Sequence, residues 1–319
     1  MKVQMEKNDQ KVLNLDLPSM EEVDDLEKKI NFFRTASGSH IAWHEYGDPA
    51  GEPIFYYHHT GSHFLAVLLH KPALELGYRI IAPDRPGISH SEYRKGWTVL
   101  DYALDMADLA DHLGIETFGA VGLSGGGPTL MASAFAIPHR LKFVVDLACA
   151  MPVYQDPEMR KHLGATDRFY AWLGSVMPLG LFQIPFSMIG LSQTLIRSPK
   201  AFAKMFSSSL SRSDKELFDN PGLAYLLMRD FQEFFRQGAS RAAYDAQTVY
   251  RQWGFDLADI EIPILVIQGS DDRFIPPSFS EFLAGKAKNV TIKVVEGQGH
   301  FYHLAYGFNT LNYIKENNR

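Results

Sequence analysis

The sequence predicts an α/β fold: a mostly parallel central sheet flanked by helices, with an inserted all-helical cap. Three observations carry this expectation. Short, fully apolar runs alternate with amphipathic segments up to about residue 150 and again from residue 257, the pattern of parallel strands covered by helices on both faces. Between residues 151 and 256 the alternation stops and only helical periodicity remains. One apolar run ends at Ser124 and is followed directly by Gly125, Gly126 and Gly127, which marks a backbone forced into a very tight turn.

The elements follow in order. Residues 1–28 form a polar N-terminal arm in which "MEEVDDLEKKI" has the composition of a short helix. "NFFRTASGSHIAWHEYG" reads as two strands around the turn "SGS", and "EPIFYYHH" as a third strand ending at His58. "YRIIAPD", "FGAVGL" and "KFVVDLACA" are further buried strands, separated by the helical segments "SHFLAVLLHKPALELG", "LDYALDMADLADHLG" and "TLMASAFAIPH". After the insert, "PILVIQG" and "VTIKVVEG" complete the sheet around the helix "FSEFLAGKAK". The expected organisation is an arm (1–28), a core (29–150 and 257–319) and a cap or lid (151–256). Within the cap, no charged residue occurs from Phe169 to Ile196. Pro178, Gly180, Gln183, Pro185 and Gly190 interrupt this stretch, so no transmembrane segment is expected. It reads as an apolar cap interior, with interfacial lid contact left open.

Composition narrows the function. The 319 residues are 46% hydrophobic, enough for a large core. A net charge of −6, with no long basic stretch, argues against nucleic acid as a partner. The single cysteine, Cys149, excludes an intramolecular disulfide and a Cys-rich metal site. The polar start "MKVQMEKNDQ" lacks an apolar signal region, so a cytoplasmic location is expected. Oligomeric state is not legible.

The glycine cluster carries the chemistry. Gly122-Leu123-Ser124-Gly125-Gly126 is a G-x-S-x-G turn between a strand and a helix. Such a turn lifts a serine Oγ into a cleft at the positive end of the helix dipole, and the Gly125 N–H is the natural first donor to a developing oxyanion. A serine needs a base to take its proton. Asp271 and Asp272 follow one apolar strand, and His300 and His303 follow the next, in the order serine, acid, histidine. A phosphate loop is a poor alternative, because neither G-x-G-x-x-G nor the Lys-Ser/Thr ending of a P-loop occurs here.

These motifs resemble those of the α/β-hydrolase fold family across roughly residues 30–316. "GLSGGGP" is similar to the family's nucleophile elbow. "QGSDDRFIPP" is similar to its acid loop, which selects Asp272 over Asp271, and "GQGH" to its histidine loop, which selects His300 over His303. "APDRPGISHS" resembles an architectural loop of the family, with Ser89 where glycine is usual, so Asp84 and Arg85 are read as structural. The oxyanion loop departs from the pattern: "HHTGSH" places His59 where the family has glycine. By position Thr60 supplies the second backbone N–H.

The resemblance implies a serine hydrolase with the catalytic residues Ser124, Asp272 and His300 and the oxyanion donors Gly125 and Thr60. The expected partner is a small-molecule acyl substrate, foremost a small, uncharged, apolar carboxylic ester. Lactonase, thioesterase, C–C hydrolase and aminopeptidase chemistries stay open, as does a non-catalytic or weakly catalytic binding homologue. Candidate substrate contacts are His59, His63, Leu123, Phe182, Phe186 and Met188. His58 is read as a loop organiser and His63 as a residue of the site mouth. Glu216, Glu233 and Asp245 are read as solvated helix faces. No cofactor is expected. A metal reading of His58, His59 and His63 is set aside because no carboxylate falls in that cluster.

Overall fold

The computed structural model describes residues 2–4, 17–152, 159–162, 168, 179–196, 198–205, 210–249 and 251–317. Its sheet contains β1 (Lys2–Gln4), β2 (Asn31–Arg34), β3 (His40–Gly47), β4 (Glu52–Tyr57), β5 (Tyr78–Pro83), β6 (Phe118–Leu123), β7 (Leu141–Leu147), β8 (Ile264–Gly269) and β9 (Val290–Val295). The order across the sheet is β1-β9-β8-β7-β6-β4-β5-β3-β2. β2–β3 and β3–β5 are antiparallel, and the other pairs are parallel.

Alternation along each central strand feeds two cores. Phe55, Tyr57, Phe118 and Ala120 point into one, where they meet α3 (Val99–His112), α4 (Gly127–Ala136) and α11 (Pro277–Lys286). Ile54, Tyr56, Val121 and Leu123 point into the other, toward α2 (His70–Leu76) and α13 (Gly307–Asn317). This double covering is why β6 is buried along its whole length. The parallel strands send the loops after β4, β5, β6, β8 and β9 out at one edge of the sheet, where an open parallel sheet builds its sites.

Between β7 and β8 the described chain is helical: α5 (Met159–His162), α6 (Leu179–Leu195), α7 (Pro199–Met205), α8 (Arg212–Phe218), α9 (Pro221–Phe234) and α10 (Ala239–Val249). Among the described residues, the insert has no hydrophobic centre wholly its own. Leu217, Phe218, Leu223, Leu226 and Leu227 join the second core of the sheet. Residues 169–178 of the charge-free stretch lie outside the described residues. In α6, Phe182 is buried, whereas Leu181, Ile184, Met188 and Leu191 form an exposed apolar stripe. Among the described residues no helix is long and apolar enough to cross a membrane.

The polar arm is more closely attached than the sequence suggests. β1 extends the sheet along β9. α1 (Met20–Glu27) begins with a capping box from Ser19 to Glu22, and it buries Val23. Its last residue, Glu27, accepts a 2.7 Å hydrogen bond from the Tyr46 hydroxyl.

Candidate active site

β6 ends at Leu123, the chain turns through Ser124–Gly126, and α4 starts at Gly127. Ser124 has φ +49°, in the left-handed region that a residue with a Cβ rarely adopts. The turn is tight enough that a Cβ on Gly126 would run into the Tyr57 carbonyl oxygen. A Cβ on Gly125 would lie 2.8 Å from the Thr60 backbone nitrogen, so the loop after β4 sits directly against the elbow.

That loop is held from behind. Arg85, itself buried, donates from Nη1 to the His58 carbonyl at 2.5 Å and from Nη2 to the His59 carbonyl at 2.8 Å. A trans peptide points its N–H opposite to its C=O. Anchoring the His59 carbonyl on Arg85 therefore turns the Thr60 N–H away from Arg85. His58 Nδ1 donates to the His59 carbonyl at 2.9 Å, and His58 Nε2 accepts from the Arg85 N–H at 3.2 Å. This is the loop-organising role expected of it. Burial, and then the Arg85 charge, push the His58 pKa well down, so the ring is neutral. His59 has no positive φ, and its backbone therefore does not require glycine. Its ring is buried, with Nε2 3.0 Å from Asp230 Oδ2. The other Asp230 oxygen accepts from Ser62 N–H at 3.2 Å and from Ser62 Oγ at 2.9 Å.

On the β8 and β9 side, His300 Nδ1 lies 2.7 Å from Asp272 Oδ2. The other Asp272 oxygen accepts the Phe274 and Ile275 N–H groups, each at 2.8 Å. Both side chains are buried, whereas Asp271 is exposed and bonded to Ser270 Oγ. Burial opposes a charge on His300, but the Asp272 charge and hydrogen bond, together with the Asp214 charge, outweigh it and raise its pKa. His303 is buried nearby. Desolvation, and then the His300 and His59 charges, hold it well below the usual range.

Other expected contacts fall elsewhere. His63 is buried: Nδ1 is 2.7 Å from Asp84, Nε2 is 2.9 Å from Glu27, and the ring stacks on His44 at 3.8 Å. It borders a cavity of about 340 Å³ whose lining includes Glu27, His44 and His90. Glu27, His44 and His63 bring ligand atoms within 4.8 Å of one another. The two imidazole planes differ by only 6°, so their in-plane lone pairs run side by side and do not converge on one ion. Leu123 is packed in the core beneath the elbow. Phe182 and Phe186, four residues apart, share one helix face, and Phe186 packs beside Ile88, Phe234 and Ala242. Met188 is 70% exposed, because two further residues rotate it to the far side.

The acids of the insert correct the sequence reading most. Glu216 is exposed, paired with Arg212 at 2.8 Å. Asp245 is fully buried and holds Arg85 through two hydrogen bonds of 2.7 and 2.9 Å. Glu233 is buried and accepts from Ser89 Oγ at 3.1 Å. Ser89 has φ +48°, which explains the family's usual glycine there; here the hydroxyl is engaged by the insert. Asp214 and Asp230 were missed altogether. Period alone could have found Asp230, since it falls on the apolar face of α9 with Leu223, Leu226, Leu227 and Phe234.

This architecture defines a class of enzyme. The chain belongs to the alpha/beta hydrolase fold family, whose model matches residues 53–305. It is 26% identical over 285 residues to a non-heme chloroperoxidase of Streptomyces lividans, covering 83% of this chain and 91% of that protein. It is 28% identical over 251 residues to a 2-hydroxy-6-oxononadienedioate/2-hydroxy-6-oxononatrienedioate hydrolase of Pseudomonas putida, covering 76% and 78%. Among solved structures, a thermophilic esterase from Thermogutta terrifontis superposes with a TM-score of 0.66 at 19% identity, covering 90% of this chain and 97% of that one. A hydrolytic role is thus supported by family and relatives alike.

Proposed function

We propose that the protein is a serine hydrolase that cleaves an acyl bond through Ser124, His300 and Asp272, with a small, uncharged, apolar carboxylic ester as the substrate. The observation that carries this reading is the 2.7 Å His300–Asp272 pair at the same sheet edge as a serine held at φ +49°. In this mechanism His300 Nε2 takes the Ser124 proton as Oγ attacks the acyl carbon. The Gly125 and Thr60 N–H groups receive the oxyanion. Asp272 fixes the imidazole tautomer and stabilises the imidazolium. The proton then passes to the leaving alcohol, and a water activated by His300 releases the acid from the acyl-enzyme. The helical insert acts as a cap over these loops.

The test is a p-nitrophenyl ester assay joined to fluorophosphonate labelling. Ser124→Ala should lose labelling and reduce kcat by about 10⁴-fold or more, with the thermal transition unchanged. Near-normal turnover in a folded Ser124→Ala protein would refute the assignment.

A further inference from the structure

His300 is gripped on two sides, and only one of them is the acid of the proposed triad. The other is Asp214, at the start of α8 in the helical insert. Its Oδ2 accepts the His300 N–H at 3.1 Å, and its Oδ1 accepts the Phe301 N–H at 2.9 Å. A single carboxylate thus holds two successive peptide groups of the histidine loop. The carboxylate is itself fixed: Ser211 Oγ donates to it at 2.7 Å within the capping box that starts α8. Asp214 is fully buried. The fit is close, because a Cβ on Gly299 would collide with both Asp214 and Ser211.

Docking a helix onto a loop would not need this arrangement. The apolar contacts of Leu217 and Phe218, including the Phe218 ring against Phe301 at 5.0 Å, already join the two. Charge-assisted bonds to backbone N–H groups fix direction as well as distance. Asp272 determines the rotation of the His300 ring, and Asp214 determines where its Cα stands.

We propose that Asp214 is a positioning residue for His300, so that the cap sets the geometry of the catalytic base. This inference rests on the serine-hydrolase reading above. The groups that face His300 are Asp272 from the loop after β8, Asp214 from α8, and His303 from α12 (Tyr302–Ala305). Both carboxylates favour the imidazolium, so removing one charge makes His300 easier to deprotonate. That shift follows from the lost charge alone, so the positioning role is read from kcat and the labelling rate above the His300 titration; a merely structural residue would leave both unchanged.

The experiment compares the wild-type protein with Asp214→Asn, a near-isosteric change that puts an amide N–H₂ against one of the two backbone donors. Displacements of about 1 Å can reduce rates by about 10²-fold. The expected result is a kcat lowered about 10- to 100-fold, with KM for a short ester within about twofold. Fluorophosphonate labelling should slow in parallel, and the acid limb of the kcat/KM profile should move to lower pH. An NMR titration of the His300 imidazole should move the same way without substrate. If Asp214→Asn does not fold, Ser211→Ala removes the hydrogen bond that fixes the carboxylate but keeps its charge, and should lower kcat and labelling by a smaller factor with the His300 titration unmoved. A wild-type labelling rate, measured above the His300 titration in the folded variant, would overturn the proposal while leaving the triad reading intact. Failure of the wild-type protein to label would remove both.

Discussion

Replacing Asp245 with alanine strands the Arg85 guanidinium. Arg85 and Asp245 are 1% and 0% exposed, and they share two short hydrogen bonds. Burial alone works against the arginine's charge, and the Asp245 charge and hydrogen bonds outweigh it. Removing one partner of a buried, hydrogen-bonded ion pair costs about 3–5 kcal/mol. Spread over the unfolding entropy of a chain this long, that lowers the melting temperature by about 4–8 °C. Arg85 keeps its bonds to the His58 and His59 carbonyls in this variant, so kcat at low temperature should fall less than tenfold. The double change Arg85→Met, Asp245→Leu should recover about half of the lost stability, because no charge is then left unpaired. It should nevertheless lose far more activity than Asp245→Ala, because the two carbonyls no longer have an anchor. Urea and thermal unfolding with an ester assay on all three proteins provide the measurement. A cost below about 1 kcal/mol for Asp245→Ala, or full activity in the double variant, would refute the reasoning.

Two further outcomes follow from the same structure. Asp272→Asn should reduce kcat by about 10³-fold or more, while the exposed Asp271→Asn stays within about threefold; ester kinetics on the pair decide it. His44 is held neutral, its pKa pushed down to about 4, chiefly by burial and then by the charge of His63. Below about pH 6.5 the unfolded chain therefore takes up a proton that the folded chain refuses, and this group removes stability as pH falls toward 4, by about 3 kcal/mol in all. His44→Phe, which preserves the stack on His63, should flatten the urea-unfolding stability profile over that range.

What was legible in the sequence was local. Ser124, Asp272 and His300 each sit in one tight turn whose glycines and prolines are contiguous with them, so the constraint is written beside the residue. Thr60 was placed by counting along its loop, and the orientation of its N–H becomes clear only with Arg85 behind it. The acids of the insert could not be read in this way, because their partners lie far away in the chain: Asp214 with His300, Asp230 with Ser62, Asp245 with Arg85. A carboxylate on a helix is usually solvated, and of the three only Asp230 is marked, by its place on the apolar face of α9. The partner of His63 is not legible for the same reason, since Glu27 comes from an arm that the sequence treats as separate.

The buried carboxylates of the insert bear on how this protein could be recombined. Asp214, Asp230 and Asp245 come from three successive helices, and each holds a different part of the machinery in the other portion of the chain. A chimera made by exchanging residues 151–256 for the equivalent segment of a relative would separate those carboxylates from the loops they hold. The unit to exchange is therefore discontinuous: the insert together with residues 58–63, 84–91 and 296–303, moved as one block.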